Sequence, residues 1–314
     1  MDAEIATLLQ QIKEAKRTPF WQSTPQQARS GPTLMALLFG PAPEIGRVED
    51  FNVDSSWGHA LRMRLYVPDK EPKGLIVYFH GGGWVIGSVD SYHPFTAYLA
   101  QRTGCAVVSV DYRLAPEHPF PLPLDDARAA IEWAASDAAV ARIGAPIPVL
   151  IAMGDSAGAN LATVAARLHN ELPSARPVDY QVLAYPVTDH RFDTESYEDF
   201  AEGYLLTRRD MAWFWDQYQP DVKLRDDPLA SPLRAPDLSA SPPALVLSAA
   251  LDPLRDEGEA YGERLREASV TTDVVRCDGV VHGFLAMVNY APAAERAFER
   301  IVSGIDGATA TVQT

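Results

Sequence analysis

Short, nearly unbroken apolar runs set the strongest limit on how this chain can fold. Residues 74–79 (GLIVYF), 105–111 (CAVVSVD), 147–153 (IPVLIAM), 180–185 (YQVLAY) and 244–250 (ALVLSAA) each have the length of a strand, and 271–277 (TTDVVRC) is a weaker sixth. A strand with one face in water alternates apolar and polar residues. A continuous run fits a strand covered on both faces, which points to a parallel sheet. Helical patterns fall between most of these runs, at about 92–103, 124–141, 157–170 and 255–268. Strand–helix alternation predicts a doubly wound α/β sheet with helices on both faces. Ahead of it, 48–53 and 60–67 read as two partly alternating strands, giving a mostly parallel sheet of eight.

Two segments stand outside that rhythm. At the N-terminus, Ile5, Leu8, Leu9 and Ile12 share one face of a helix, expected to pack on the protein's own body, and a proline-broken stretch runs on to residue 47. Nearly sixty residues separate the strand ending near Pro186 from the one starting near Ala244, too many for a structureless loop. This insert is aromatic, and Thr207 can cap a helix carrying Met211, Phe214, Trp215 and Tyr218 on one face.

Composition narrows the partners. A net charge of −15 with no basic stripe argues against nucleic acid and anionic lipid surfaces. No apolar run reaches the roughly 18 residues needed to span a bilayer, and 1–17 lack the apolar centre of a signal peptide, so a cytoplasmic protein is expected. Cys105 and Cys277 form no Cys-x-x-Cys pair, so they read as buried free thiols and no metal site is expected.

The chemistry begins at Gly154-Asp155-Ser156-Ala157-Gly158. A serine hydroxyl is a poor nucleophile unless it is exposed, faces a base and has donors for the oxyanion that forms. Gly-x-Ser-x-Gly between a strand and a helix supplies the exposure, because flanking glycines allow a sharp turn with closely packed backbones. His80-Gly81-Gly82-Gly83-Trp84 follows the strand ending at Phe79. Its glycines leave backbone N–H groups uncovered, and Gly82, Gly83 and Ala157 are the expected oxyanion donors. Gly81 and Trp84 would shape the loop, with His80 as its organiser rather than as the base. No Gly-Lys-Ser/Thr follows to suggest a phosphate loop.

Topology selects the base from seven histidines. The C-terminal ends of parallel strands share one edge, where ligands bind. Ser156 lies there, Asp252 follows the strand 244–250, and His282 lies in the loop after 271–277. Thirty residues from Asp252 to His282 make one strand–helix–strand step, which places the two on neighbouring strands. Asp256 and Glu257 are rival acids, but in the first turn of a helix they complement its dipole. His169 is expected at the surface, and His190 could line a pocket at the start of the insert.

These strings, with DYRLAPEHPFP at 111–121, DPLRDE at 252–257 and HGF at 282–284, resemble the hormone-sensitive-lipase-like (bacterial family IV) esterases of the α/β-hydrolase superfamily. The resemblance spans about residues 48–305. It implies a carboxylesterase acting on short- to medium-chain acyl esters without a cofactor, through Ser156, His282 and Asp252 and an acyl-enzyme. It implies a helical cap from 1–45 and 188–240 over a catalytic domain of 46–187 and 241–314, and a homodimer through the last strand, about 271–277. Met211, Phe214 and Trp215 are candidates for the substrate pocket, with cap core as the competing reading. Arg113 is expected to brace its loop by pairing with Glu117. Amidase or acyltransferase chemistry on the same triad is the alternative. A non-catalytic receptor resembling the plant gibberellin receptors would lack the histidine present here at 282.

Overall fold

A computed structural model describes residues 1–16, 18–31, 33–54 and 58–311. Its centre is one eight-stranded mixed sheet. The strands are β1 (Arg47–Asp54), β2 (Ala60–Val67), β3 (Leu75–Phe79), β4 (Ala106–Val110), β5 (Leu150–Asp155), β6 (Tyr180–Ala184), β7 (Ala244–Leu251) and β8 (Thr272–Val281). Their order across the sheet is β1-β2-β4-β3-β5-β6-β7-β8. The β1–β2 and β2–β4 pairings are antiparallel, and all others are parallel. The helices are α1 (Ala3–Glu14), α2 (Pro25–Ser30), α3 (Leu34–Leu38), α4 (His93–Thr103), α5 (Leu122–Ala134), α6 (Asp137–Ile143), α7 (Ala157–Asn170), α8 (Glu195–Asp199), α9 (Arg208–Tyr218), α10 (Arg255–Glu267) and α11 (Pro292–Thr311).

The apolar runs are continuous because the central strands are covered on both sides. Every residue of β3, β4 and β5 is buried. The period of two then divides each strand between two cores. Leu75, Val77 and Phe79 join one core with α5, α7 and α10, while Ile76 and Tyr78 join the other with α1, α4 and α11. Strand β8 at the sheet's edge is only half covered, which is why its sequence signal is weaker.

Several sequence expectations need correction. The single helix expected over 124–141 is two, α5 and α6, because Ser136 takes an extended conformation and its hydroxyl donates to the Trp133 carbonyl at 2.7 Å. His169 is buried, and its Nε2 donates to the Arg176 carbonyl at 2.8 Å. The closing helix α11, which the sequence reading leaves unassigned, seals the sheet with Phe298, Ile301 and Ile305. Strand β8 also runs four residues past the expected end at 277. A register shift between Ala249 and Leu251 lets Leu251 pair with Val281, and this carries His282 to Asp252.

The segments outside the alternation cover the sheet's C-terminal edge. Helix α1 is tied to the body by the Asp2 amide, which donates to the Gly279 carbonyl at 2.9 Å, and Ile5 and Leu8 are buried beneath it. Thr207 caps α9 as expected, in a reciprocal arrangement with Asp210. Phe20 packs on Phe214 at 5.3 Å, and the Trp21 amide donates to Asp210 at 3.2 Å, so the N-terminal segment and the insert touch directly. Among the described residues no helix is long and apolar enough to cross a membrane.

Arg113 does not pair with Glu117. Its guanidinium donates to the fully buried Asp126 on α5 at 2.7 and 3.0 Å, and its backbone amide adds a third bond at 2.8 Å. Truncating one side of such a pair leaves a charge without a partner in a low dielectric. Asp126→Ala is therefore expected to lower the unfolding free energy by on the order of 3 kcal/mol in urea titrations. A loss below about 1 kcal/mol would show that the pair is solvated rather than structural.

Candidate active site

Ser156 sits in the turn between β5 and α7 with φ +54° and ψ −120°, a conformation rare for a residue with a side chain. The turn is strapped in place. The Ser156 amide donates to the Ala184 carbonyl at 2.9 Å, and the Ser156 carbonyl accepts from Ala159 and Asn160. A Cβ on Gly158 would overlap the Phe79 carbonyl, so only glycine lets α7 approach β3 this closely.

Asp252 and His282, at the ends of β7 and β8, complete a hydrogen-bonded line. His282 Nδ1 lies 2.7 Å from Asp252 Oδ2, and His282 Nε2 lies 3.0 Å from Ser156 Oγ. A carboxylate only accepts, so Nδ1 carries the proton and Nε2 is free to accept from the serine hydroxyl. The other Asp252 oxygen accepts from the Leu254 amide at 2.9 Å, and Asp252 is fully buried. The rival acids are engaged elsewhere. Asp256 accepts from the Ser196 amide and from Arg255. Glu257 accepts from the Thr188 and Asp189 amides, and burial pushes its carboxyl well above the usual range.

The glycine loop lies beside the serine. Gly82 and Gly83 both have positive φ, +117° and +58°, and both line the same cavity as Ser156. No group among the described residues accepts from the Gly82, Gly83 or Ala157 amides. The Gly82 carbonyl accepts from Val85 and Ile86, each at 3.0 Å, which folds the loop back on itself. His80 is buried, and burial lowers its pKa. It stacks on Tyr112 at 4.3 Å while its Nδ1 donates to the Gly81 carbonyl at 2.8 Å. Trp84 stacks flat on Tyr218 of α9 at 3.9 Å and meets Trp215 edge-on at 5.2 Å. Aromatic contacts of this kind add about 1 kcal/mol each beyond the area they bury, so the loop and α9 are locked together.

A cavity of about 340 Å³ opens over Ser156, with Phe20, Leu34, Leu205, Met211 and Phe214 among its walls. Met211 and Phe214 thus face it, but Trp215 lies behind, packed on Trp84. His190 is turned away from the cavity and pairs with Asp226 at 2.9 Å. Asp210 is also on the wall, where burial raises its carboxyl pKa, yet its oxygens are taken by Thr207 and the Trp21 amide.

One residue had no sequence signal. Arg29 of α2 donates through Nε to the Val85 carbonyl at 2.7 Å and through Nη2 to the Ala115 carbonyl at 2.7 Å, while Nη1 and Nη2 grip the two Glu117 oxygens at 2.8 and 2.7 Å. The guanidinium holds the Glu117 carboxyl down to about 2. Nothing local connects two residues 88 positions apart, and Arg113 was the nearer cation in sequence.

The sheet order, the elbow at Ser156 and the glycine loop define an α/β hydrolase. Comparison with known proteins agrees: the family model described as the alpha/beta hydrolase fold matches residues 76–286. An ethyl acetate hydrolase of Pseudomonas putida is 37% identical over 277 residues, covering 86% of each chain. The carboxylesterase NlhH of Mycobacterium tuberculosis is 35% identical over 82% of this chain and 81% of its own. The solved hyperthermophilic esterase from Pyrobaculum calidifontis superposes with a TM-score of 0.89 at 36% identity, over 99% of each chain. The chain belongs to the α/β-hydrolase family, in its hormone-sensitive-lipase-like branch, and is a carboxylic ester hydrolase.

Arg29 bridges the N-terminal segment to the chain that follows the glycine loop. Arg29→Gln is expected to lower kcat several-fold while costing no more than about 2 kcal/mol of stability, since the ion pair is half exposed. Steady-state kinetics and urea denaturation on the same preparation separate the two. An unchanged kcat would mean that the loop holds its shape without the clamp.

Proposed function

We propose that this chain hydrolyses short- to medium-chain acyl esters through an acyl-enzyme on Ser156, with His282 as base and Asp252 as its orienting acid. The observation that carries the reading is the line Ser156–His282–Asp252 ending in a cavity beside unpaired backbone amides. His282 Nε2 takes the hydroxyl proton as Ser156 Oγ attacks the ester carbonyl. Asp252 fixes the imidazole tautomer and stabilises the imidazolium. The Gly82, Gly83 and Ala157 amides donate to the oxyanion, each worth about 3–4 kcal/mol in the transition state. His282 then protonates the departing alcohol, and water cleaves the acyl-enzyme by the same steps in reverse.

Residues 1–45 and 188–240 act as a cap that closes this cavity over the acyl chain. Its support is the contact of Phe20, Met211 and Phe214 around the space above Ser156, together with the Trp84–Tyr218 stack that joins cap to loop. A mainly apolar cavity of about 340 Å³ favours a modest acyl group over a long one. The name of one relative, ethyl acetate hydrolase, points the same way.

Ser156→Ala is expected to fold normally and to lose roughly 10⁵-fold or more in kcat on p-nitrophenyl esters. In the wild-type protein, rates along the acyl series should peak between butanoyl and octanoyl and fall steeply by palmitoyl. A folded Ser156→Ala protein with near-normal turnover would remove the nucleophile assignment. A maximum at palmitoyl would remove the size argument.

A further inference from the structure

Asp155, the residue before the nucleophile, is a buried carboxylate with no cationic side chain bonded to it among the described residues. Four donors converge on it instead. Tyr78 of β3 donates at 2.6 Å, the Gly81 amide at 2.8 Å, Tyr92 at 3.2 Å and Tyr185 at 3.4 Å. A carboxyl that accepts from three phenols and an amide uses its lone pairs only, so the arrangement suits the ionised form.

Each donor leads to a different part of the site. Gly81 opens directly into Gly82 and Gly83, and a Cβ on Gly81 would collide with Asp155 Oδ2, so the loop is pulled onto the carboxylate as closely as a glycine allows. Tyr185 has φ +37°, and its ring packs edge-to-face on the His282 imidazole at 4.7 Å. Tyr92 lines the cavity beside Ser156. The peptide bond to Ser156 adds the nucleophile itself.

We infer that Asp155 is a positioning residue for ester hydrolysis: its ionised carboxylate sets the oxyanion loop through Gly81 and the imidazole through Tyr185, and its charge favours the imidazolium that forms on His282. This rests on the Ser156–His282–Asp252 assignment. The role is electrostatic as well as mechanical. Burial raises the carboxyl's pKa, and the bonds from Tyr78 and Gly81, the charge on His282 and the bond from Tyr92 oppose that rise. The phenols of Tyr78, Tyr92 and Tyr185 are pushed well above the ordinary phenol range, first by burial and then by Asp155, so they remain donors. The other titratable neighbours are Tyr112, which is buried and feels the charge of Asp155, and His80, whose pKa burial lowers. Through its two ring nitrogens His282 itself faces Asp252 and Ser156. Asp252 is thus the imidazolium's direct counter-charge, and Asp155 is a second negative charge that acts on it without a direct bond.

The sign follows. Hydrolysis needs neutral His282, so activity falls on the acid side as the imidazole takes up a proton. Removing a nearby negative charge disfavours the imidazolium and moves that acid limb to lower pH. Asp155→Asn is expected to lower the plateau kcat/KM by about a hundredfold through misplacement of the loop. It should also shift the acid limb down by roughly half a pH unit or more.

Tyr78→Phe, which is remote from the cavity, keeps the carboxylate but removes its shortest donor. Asp155 then binds a proton more readily and offers less negative charge to the imidazolium, so the acid limb should move in the same direction as in Asp155→Asn, to lower pH, by a smaller amount. A structural role alone would lower the plateau in both variants and move neither limb. An unmoved limb in folded Asp155→Asn overturns the proposal. If that variant does not fold, an unmoved limb in Tyr78→Phe overturns it instead. Ser156→Ala assayed in parallel keeps the two claims apart: turnover surviving there defeats the triad reading, whereas an inactive Ser156→Ala beside unmoved limbs defeats only the role of Asp155.

Discussion

A serine held at φ +54° at the mouth of a packed sheet persists only because the backbone around it leaves no room for another shape. Gly154 and Gly158 flank the turn, and a Cβ on either would run into neighbouring backbone: the α7 chain at Gly158 in one case, the Phe79 carbonyl in the other. Without those side chains α7 sinks onto β3 and β5, and almost every residue of α7 is buried. The same approach leaves the amide of Ala157, first in α7, beside the glycine loop that follows β3. The position of Ser156 and that of the amides proposed as its oxyanion donors are therefore one packing event.

The proposed acid and base depend on the sheet in a different way. Asp252 and His282 come from adjacent parallel strands, and the register shift between Ala249 and Leu251 brings their ends level. Burial of Asp252 and the amide of Leu254 fix one end of the line, and the edge of the Tyr185 ring fixes the imidazole. The roof is attached through the loop rather than through the sheet. Trp84 stacks on α9, and Phe214 of the same helix fills the space where a Cβ of Gly83 would stand. A displacement of α9 would therefore disturb the Gly82 and Gly83 amides together with the cavity wall.

Much of this was legible in the sequence, for identifiable reasons. Strands buried on both faces leave continuous apolar runs, so β3 to β7 could be read directly, and topology alone brought Asp252 and His282 to one edge. What could not be read depends on long-range partners. DYRLAPEHP carries both Arg113 and Glu117, and sequence proximity suggested that they pair. In the fold Arg113 turns to Asp126, and Glu117 meets Arg29 from a helix 88 residues away. His169 near the end of an amphipathic helix read as exposed, but the Arg176 carbonyl gives it a buried partner. Trp215 shares a helical face with Met211 and Phe214, yet the face is wide enough to serve both the cavity and the Trp84 contact. The phenol donors to Asp155 come from three separate elements, and no spacing in the chain announces them.

The central claim is that one serine, placed by the elbow, carries the acyl group. Reaction with an excess of a p-nitrophenyl alkylphosphonate, followed by peptide mass spectrometry, tests it directly. The account predicts a single adduct on the peptide containing Ser156, formed in step with the loss of esterase activity and absent when His282 is replaced by alanine. Full inactivation with the Ser156 peptide unmodified, or with the adduct on another residue, would contradict it.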